Sequence, residues 1–232
     1  MDILGARLDP DRAIRAADEF TAYCAGYVDE KRRRPGNDLV SSLVTAEVDG
    51  VRLTDGEVMS FVKLLFPAGA ETTFRSIGAM LHALVHHPEQ LAALRDDREL
   101  VRPSIEEALR WQPVVGASSP RLAVVDTEVA GVAIPASSTI IAGYAAINRD
   151  PARWSEPDRF DVRRPFRPHM AFGWGPHLCL GMHLARAEMT EVLDGVLDRL
   201  PGLRLDPDAP EQHVHGLVMR GPCAVPVLAD VG

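Results

Sequence analysis

The chain has 232 residues, of which 46% are hydrophobic and 25% are charged, a globular composition that excludes a disordered or collagen-like polymer. Its formal net charge is −8 at pH 7 and it has no long basic run, so no nucleic-acid partner is expected. The first residues lack the apolar core of a signal peptide, and no run of about 18 apolar residues occurs. We therefore expect a soluble, cytoplasmic protein that has no membrane partner.

Helical spacing of apolar residues dominates the first half of the chain. The predicted helices of this half lie at 11–34, 38–46, about 54–87, 89–96 and about 103–111. Thr54 and Glu57 have the spacing of a capping box, and no strong stop follows them before Pro88, which explains the unusual length of the third helix. Pro67 predicts a kink or a local widening in its middle.

Strands, an irregular segment and one more helix are predicted for the second half. Valines and isoleucines interrupted by glycine and proline over 121–143 predict short strands and a hairpin. Residues 148–170 contain four prolines and form an irregular stretch, whose length suggests a functional reason. A final helix is predicted at about 180–200, and the tail after it returns to a small sheet. The expected fold is a single domain over 1–232, mainly α with small β elements.

The segment 172–181, Phe-Gly-Trp-Gly-Pro-His-Leu-Cys-Leu-Gly, is the most informative motif. Two glycines and a proline predict a tight loop that brings Cys179 to the start of the last helix, where free amides and the helix dipole favour a thiolate. Such a thiolate is a metal ligand or a nucleophile. The residues alone also allow a buried, inert cysteine, or a zinc site that Cys179 shares with His177 and His183.

Two weaker motifs lie on the predicted helices. In the segment 68–73, small residues let a flat group approach the helix, and Glu71 beside Thr72 can hold water and pass protons. A helix-packing notch is the alternative interpretation. Glu107 and Arg110 stand three residues apart on one helix face, a spacing for which a surface ion pair is the default interpretation.

Together and in this order, the motifs resemble those of the haem-thiolate monooxygenases of the cytochrome P450 family, in their soluble bacterial form. The cysteine loop of that family is matched by Phe172, Gly173, Gly175, His177, Cys179 and Gly181. Its oxygen-binding groove is matched by Ala68, Gly69, Glu71 and Thr72. Its Glu-x-x-Arg pair is matched by Glu107 and Arg110, with Arg159 at the position that completes a structural Glu-Arg-Arg network.

The resemblance implies a haem b cofactor whose iron has Cys179 as its axial ligand. Electron donation from such a thiolate favours cleavage of the oxygen–oxygen bond. Glu71 and Thr72 would deliver protons. Arg121 and His177 match positions that usually bind haem propionates. The segments 114–118 and 217–219 match two segments that usually line the substrate pocket.

The reaction implied by the resemblance inserts one oxygen atom from dioxygen into a small apolar molecule. Electrons would come from NAD(P)H through a separate redox protein of ferredoxin or flavin type. The resemblance covers only the C-terminal portion of the family domain, and the N-terminal part is absent. A second chain is the expected source of that part, and a catalytically silent remnant that binds haem weakly or acts only as an interaction protein is the alternative function.

Overall fold

The computed structural model describes residues 9–216 and 218–230. The chain divides into two compact units, Met1–Ala70 and Glu71–Gly232. In the part of the chain that the structure describes, helices dominate and every sheet has two strands, which confirms the predicted class of mainly α with small β elements. Within the two described ranges, no helix combines the length and the apolar character needed to cross a membrane.

The first unit is built from helices and one hairpin. Its elements are α1 (Pro10–Arg33), α2 (Leu39–Thr45), β1 (Glu47–Val48), β2 (Val51–Arg52) and the start of α3 (Asp55–His86). Asp9 and Asp38 cap α1 and α2 by accepting hydrogen bonds from the main chain, which satisfies amides that have no partner inside a helix. Val28, Val44 and Val58 form a small buried core. The β1–β2 hairpin was not predicted, because strands of two residues have no recognisable periodicity.

Helix α3 passes from the first unit into the second. The capping box at its start is present: the amide of Thr54 donates to Glu57 Oε2 at 2.8 Å, and the amide of Glu57 donates to Thr54 Oγ1 at 3.3 Å. The chain stays α-helical through Pro67, so the widened turn that the sequence suggested is not present in this helix.

The second unit adds helices around one core and four antiparallel strand pairs. Its further elements are α4 (Pro88–Asp96), α5 (Val101–Trp111), β3 (Arg121–Leu122), β4 (Thr127–Val129), β5 (Val132–Ile134), β6 (Thr139–Ile140), α6 (Tyr144–Ile147), α7 (Met182–Arg199), β7 (Arg204–Leu205), β8 (Val214–His215), β9 (Gly221–Pro222) and β10 (Val227–Leu228). The pairs are β3–β6, β4–β5, β7–β10 and β8–β9. The predicted hairpin is β4–β5, and left-handed Ala130 and Gly131 form its turn.

One hydrophobic core holds the second unit together. It joins the end of α3 to α4, α5 and α7 through Met80, Leu84, Leu94, Ile105, Met189 and Leu193. Phe160 and Val162 of the irregular stretch are buried in the same core. The 148–170 segment is therefore fixed to the helices although it has no regular secondary structure, and it leads directly into the cysteine loop.

Candidate functional site

Cys179 lies in a hydrogen-bonded loop just before α7. Gly173 and Gly175 have φ values of 73° and 78°, a left-handed conformation that glycine adopts without steric cost. The amide of Cys179 donates to the carbonyl of Phe172 at 3.0 Å and closes the loop. The amide of Met182, the first residue of α7, donates to the Cys179 carbonyl at 3.4 Å. The loop therefore places Cys179 beside the start of α7, as the sequence predicted.

The surface around Cys179 is open and apolar. Cys179 is a free and exposed cysteine, so the prediction's alternative of a buried, inert thiol is wrong. Leu180 is 83% exposed and Trp174 is 71% exposed, and His177 is exposed between them. A thiol among exposed apolar side chains fits a flat, largely apolar group with an iron at its centre, which is the chemistry of haem.

The alternative zinc site is not formed. Over residues 9–216 and 218–230, no three His, Cys, Asp or Glu side chains come close enough together to hold a metal ion. His177 and His183 therefore do not complete a ligand set with Cys179. Structural zinc sites need four ligands in tetrahedral geometry.

The two segments predicted to line a substrate pocket lie side by side. The amide of Gly116 donates to the Val218 carbonyl at 2.9 Å, and the amide of Arg220 donates to the Val114 carbonyl at 2.7 Å. Val115 and Met219 form an isolated β-bridge between these bonds. The structure thus brings together 114–118 and the described part of 217–219, while Leu217 lies outside the described residues. Arg121, which follows the 114–118 segment in the chain, lies in β3 and is exposed.

Glu71 is held in an ion pair on α3. Its Oε1 atom accepts from both Nε and Nη2 of Arg75, each at 2.8 Å. Its Oε2 atom is buried and has no hydrogen-bond partner among the described residues. Thr72 follows it and is half-buried. One carboxylate oxygen of Glu71 therefore remains available for a proton or a water molecule.

Ala68 and Gly69 are exposed on the part of α3 that belongs to the first unit. A Cβ atom built on Gly69 would meet no described atom within 4 Å. No described residue therefore packs against Gly69, as the alternative interpretation of a helix-packing notch would require.

A buried carboxylate, Glu107, is the centre of an ion network. Its two oxygens accept from Arg110 Nε at 2.7 Å and Nη2 at 2.8 Å, and from Arg164 Nε at 3.1 Å. The amide of Asp161 donates to the same carboxylate at 3.0 Å. The Glu107 and Arg110 side chains are only 2% and 1% exposed, so the default interpretation of a surface pair is wrong.

Arg159 is not the third member of this network, which corrects the sequence prediction. Its side chain is 58% exposed, and among the described residues it pairs with Glu156 alone, at 3.5 Å. Arg164 takes the place instead, while Arg159 contributes its carbonyl oxygen as an acceptor for Arg110 and Arg164. A turn explains the difference: the amide of Arg164 donates to the Asp161 carbonyl at 3.0 Å, so the chain folds back here and brings the Arg164 side chain, only 10% exposed, to Glu107.

A second ion cluster, missed in the sequence, lies beside the first. Glu106 accepts from Arg186 Nε at 2.6 Å and Nη2 at 3.0 Å, and from His169 Nε2 at 3.0 Å. Burial alone would raise the pKa of Glu106, but these hydrogen bonds and charges outweigh burial and lower it to about 2. The partners stand 63 and 80 positions away in the chain, so no local pattern could have indicated the cluster.

The cytochrome P450 family profile matches residues 11–220, and the chain therefore belongs to the cytochrome P450 family. It is 41% identical over 199 residues to the cytochrome P450 monooxygenase PikC of Streptomyces venezuelae, a match that covers 85% of this chain and 48% of that protein. It is 37% identical over 225 residues to the mycinamicin IV hydroxylase/epoxidase of Micromonospora griseorubida, a match that covers 96% of this chain and 57% of that protein. The chain spans about half the length of the curated relatives it matches.

Solved structures have the same fold over the shared part. Cytochrome P450 CYP109Q5 from Chondromyces apiculatus is 40% identical and has a TM-score of 0.90, covering 96% of this chain and 57% of that one. CYP109E1 from Bacillus megaterium, solved in complex with testosterone, is 31% identical and has a TM-score of 0.92. This match covers 99% of the present chain and 64% of that one. The chain therefore has part of the cytochrome P450 fold, as the sequence motifs predicted.

Arg164 and Arg159 should differ sharply in their contribution to stability. Replacing Arg164 with Ala should lower the free energy of unfolding by about 3–5 kcal/mol, because it leaves Glu107 buried with one cation fewer. Arg159→Ala is the matched control and should cost no more than about 1 kcal/mol, as for an exposed pair. Urea unfolding followed by tryptophan fluorescence measures both, since all three tryptophans lie in the second unit. Equal losses, or a larger loss for Arg159→Ala, would contradict the assignment.

Proposed function

We propose that the chain is the haem-binding, C-terminal portion of a bacterial-type cytochrome P450 monooxygenase, with Cys179 as the axial ligand of the haem iron. The observation that carries this proposal is the exposed cysteine in a glycine-built loop at the start of α7. Membership of a family whose relatives include monooxygenases supports it. The catalytically silent remnant is less well supported, because Cys179 stays exposed and its own amide and carbonyl are both hydrogen-bonded within the loop and the start of α7.

Haem supplies the activation of dioxygen when it is bound, and the chain's own residues hold it and control protons. Cys179 supplies a thiolate sulfur from an apolar surface, and Gly173, Gly175 and Gly181 keep the loop narrow enough for close approach. Phe172 supplies the carbonyl that closes the loop. Exposed Arg121 and His177 suit carboxylate groups such as the propionates, because a guanidinium and an imidazole can donate hydrogen bonds to them.

Glu71 and Thr72 are proposed to move protons on α3. Arg75 occupies Oε1 of Glu71, so the buried Oε2, which has no described hydrogen-bond partner, is the oxygen proposed to relay a proton. The Thr72 hydroxyl, one residue further along, would hold the proton or a water molecule near dioxygen. Ala68 and Gly69, without bulky side chains, are proposed to leave room beside the helix.

The substrate class is proposed to be a small apolar molecule. Val115 and Val218, in the two joined segments, offer hydrocarbon surface rather than charge. One relative is named for mycinamicin IV and one neighbour was solved with testosterone, which supports a small organic substrate for this chain. Electrons are proposed to come from NAD(P)H through a separate ferredoxin-type or flavin-type redox protein.

Replacing the cysteine ligand tests the proposal directly. The chain supplied with haem should form a reduced carbon-monoxide adduct with the red-shifted band of a thiolate ligand, and Cys179→Ser should abolish that band because serine provides no thiolate. Cys223→Ser is the matched control, since Cys223 is also free and exposed, and should keep the band. A thiolate band that survives Cys179→Ser, or that Cys223→Ser removes, would contradict the assignment.

Replacing the threonine tests proton delivery. In the complete, active enzyme, Thr72→Ala should leave the resting haem spectrum unchanged but reduce product per NAD(P)H by about tenfold, with reducing equivalents released as hydrogen peroxide. The control is Thr21→Ala, a helical threonine of α1 whose hydroxyl bonds the Ala17 carbonyl. Unchanged product per electron in Thr72→Ala would overturn the proposed role.

A further polypeptide segment is proposed to complete the enzyme, with a second chain as one possible source of it, because the chain spans about half the length of the relatives it matches. Phe74 and Val124 are 75% and 86% exposed, and such large apolar surface favours association. The chain alone should therefore self-associate in light scattering, bind haem weakly and oxidise apolar substrates poorly with a surrogate redox system. A monodisperse monomer with a stable thiolate band and substrate turnover would show that the chain is sufficient by itself.

A further inference from the structure

We propose that Glu106 is a positioning residue for the cysteine loop, which it holds in place through Arg186 and His169. This inference rests on the proposed role of Cys179 as a haem ligand. Glu106 itself is on α5 and does not touch the loop cysteine in the structure. Its effect on Cys179 would pass through two side chains that it binds and through one backbone hydrogen bond.

The cluster is a fully specified set of hydrogen bonds. The His169 Nδ1 atom accepts the amide hydrogen of Ala171 at 3.2 Å, so the ring proton of a neutral His169 lies on Nε2 and is donated to Glu106. Arg186 reaches both oxygens of the same carboxylate. The side chain of His169 is 3% exposed, whereas that of Glu106 is 20% exposed, so the bond is shielded from water at its histidine end. Glu106 therefore connects α5 both to α7 and to the segment just before the loop.

A direct path leads from this cluster to Cys179. The Arg186 guanidinium lies over the ring of Phe172 at 4.6 Å from its centroid, a cation–π contact. The Phe172 carbonyl accepts the Cys179 amide hydrogen at 3.0 Å. Each step joins directly contacting groups, so a shift of Arg186 moves the ring and the carbonyl that orients the cysteine backbone.

Packing alone does not hold this side of the loop. A crevice of about 130 Å³ lies between Phe172, Trp174, Leu178 and Met182, with His169 and Arg186 in its wall. A side chain next to open space has few atoms to restrain it. Asn148 also holds the segment, because its Oδ1 accepts the amide hydrogen of Met170 at 2.7 Å. Loss of Glu106 should therefore loosen the loop rather than release it.

The carboxylate is suited to a permanent role. Its low pKa keeps Glu106 anionic throughout the neutral range, so the pair with Arg186 persists there. The neighbouring Glu107 binds Arg110 and Arg164 instead. Two consecutive carboxylates on α5 therefore have different partners. Glu107 binds the irregular segment, and Glu106 binds the residues just before the cysteine loop.

Hydrogen exchange in the haem-free chain tests the local effect. Glu106→Gln keeps the shape and one acceptor but removes the charge, and Arg186→Lys keeps the charge but removes the planar fork over Phe172. In both variants the Cys179 amide should exchange about tenfold faster, as expected for the loss of a charge-assisted hydrogen bond. The amide of Leu193, in the core part of α7, should stay within about twofold of the parent value.

Glu188→Gln is the matched control, because Glu188 is exposed on α7, and it should leave both amides unchanged. Unchanged Cys179 exchange in Glu106→Gln and Arg186→Lys, or equal acceleration at Cys179 and Leu193, would overturn the inference. The second pattern would mean general destabilisation. If Glu106→Gln fails to fold, the conservative Arg186→Lys variant decides the question alone.

The reduced carbon-monoxide adduct provides the readout specific to the ligand. With haem supplied, the fraction of the adduct in the thiolate band should fall at least about threefold in Glu106→Gln and not at all in Glu188→Gln. A thiolate band as strong in Glu106→Gln as in the parent chain would also overturn the inference. If the parent chain lacks the band even with enough haem to saturate weak binding, the proposed function fails, and hydrogen exchange still decides whether Glu106 positions the loop.

Discussion

The buried carboxylate of Glu107 is the interaction on which the second unit depends. A charge removed from water is very costly unless hydrogen bonds and opposite charges surround it, and here two arginines and one amide do so. The same arginines also donate hydrogen bonds to main-chain carbonyls that would otherwise lack partners. The 148–170 segment has no ladder partners for its carbonyls, and Arg110 donates to those of Asn148 and Pro157 while Arg164 donates to that of Ser155.

This anchoring explains how an irregular segment can position a reactive cysteine. Helices α5 and α7 are rigid because they share a core, whereas the cysteine loop between the irregular segment and α7 is exposed. The loop is therefore defined at its two ends, by the start of α7 on one side and by the segment held to α5 on the other. A loop positioned by a rigid scaffold is the usual arrangement at functional sites.

Features with local causes could be predicted from the sequence, and those with distant causes could not. The periodicity and capping box gave α1 and α3 within a residue or two, because helices depend on neighbours in the chain. Helix α7 begins at Met182 rather than about 180, since Gly181 is its N-cap. The cysteine loop was recognisable from its glycines. The pairing of Arg164 with Glu107 and the whole Glu106 cluster could not be predicted, because they depend on tertiary contacts that no local spacing encodes.

The structure separates what makes the second unit stable from what would make the site work. In its core, Met80, Leu94 and Leu193 are inaccessible to solvent. The surface beside Cys179, by contrast, leaves Trp174 and Leu180 exposed. Apolar burial stabilises in proportion to the area removed from water, so whatever covers that surface gains binding energy that folding has not used. Burial inside this unit and the covering of its cysteine surface are therefore two separate contributions to stability, and haem or a further polypeptide would supply the second.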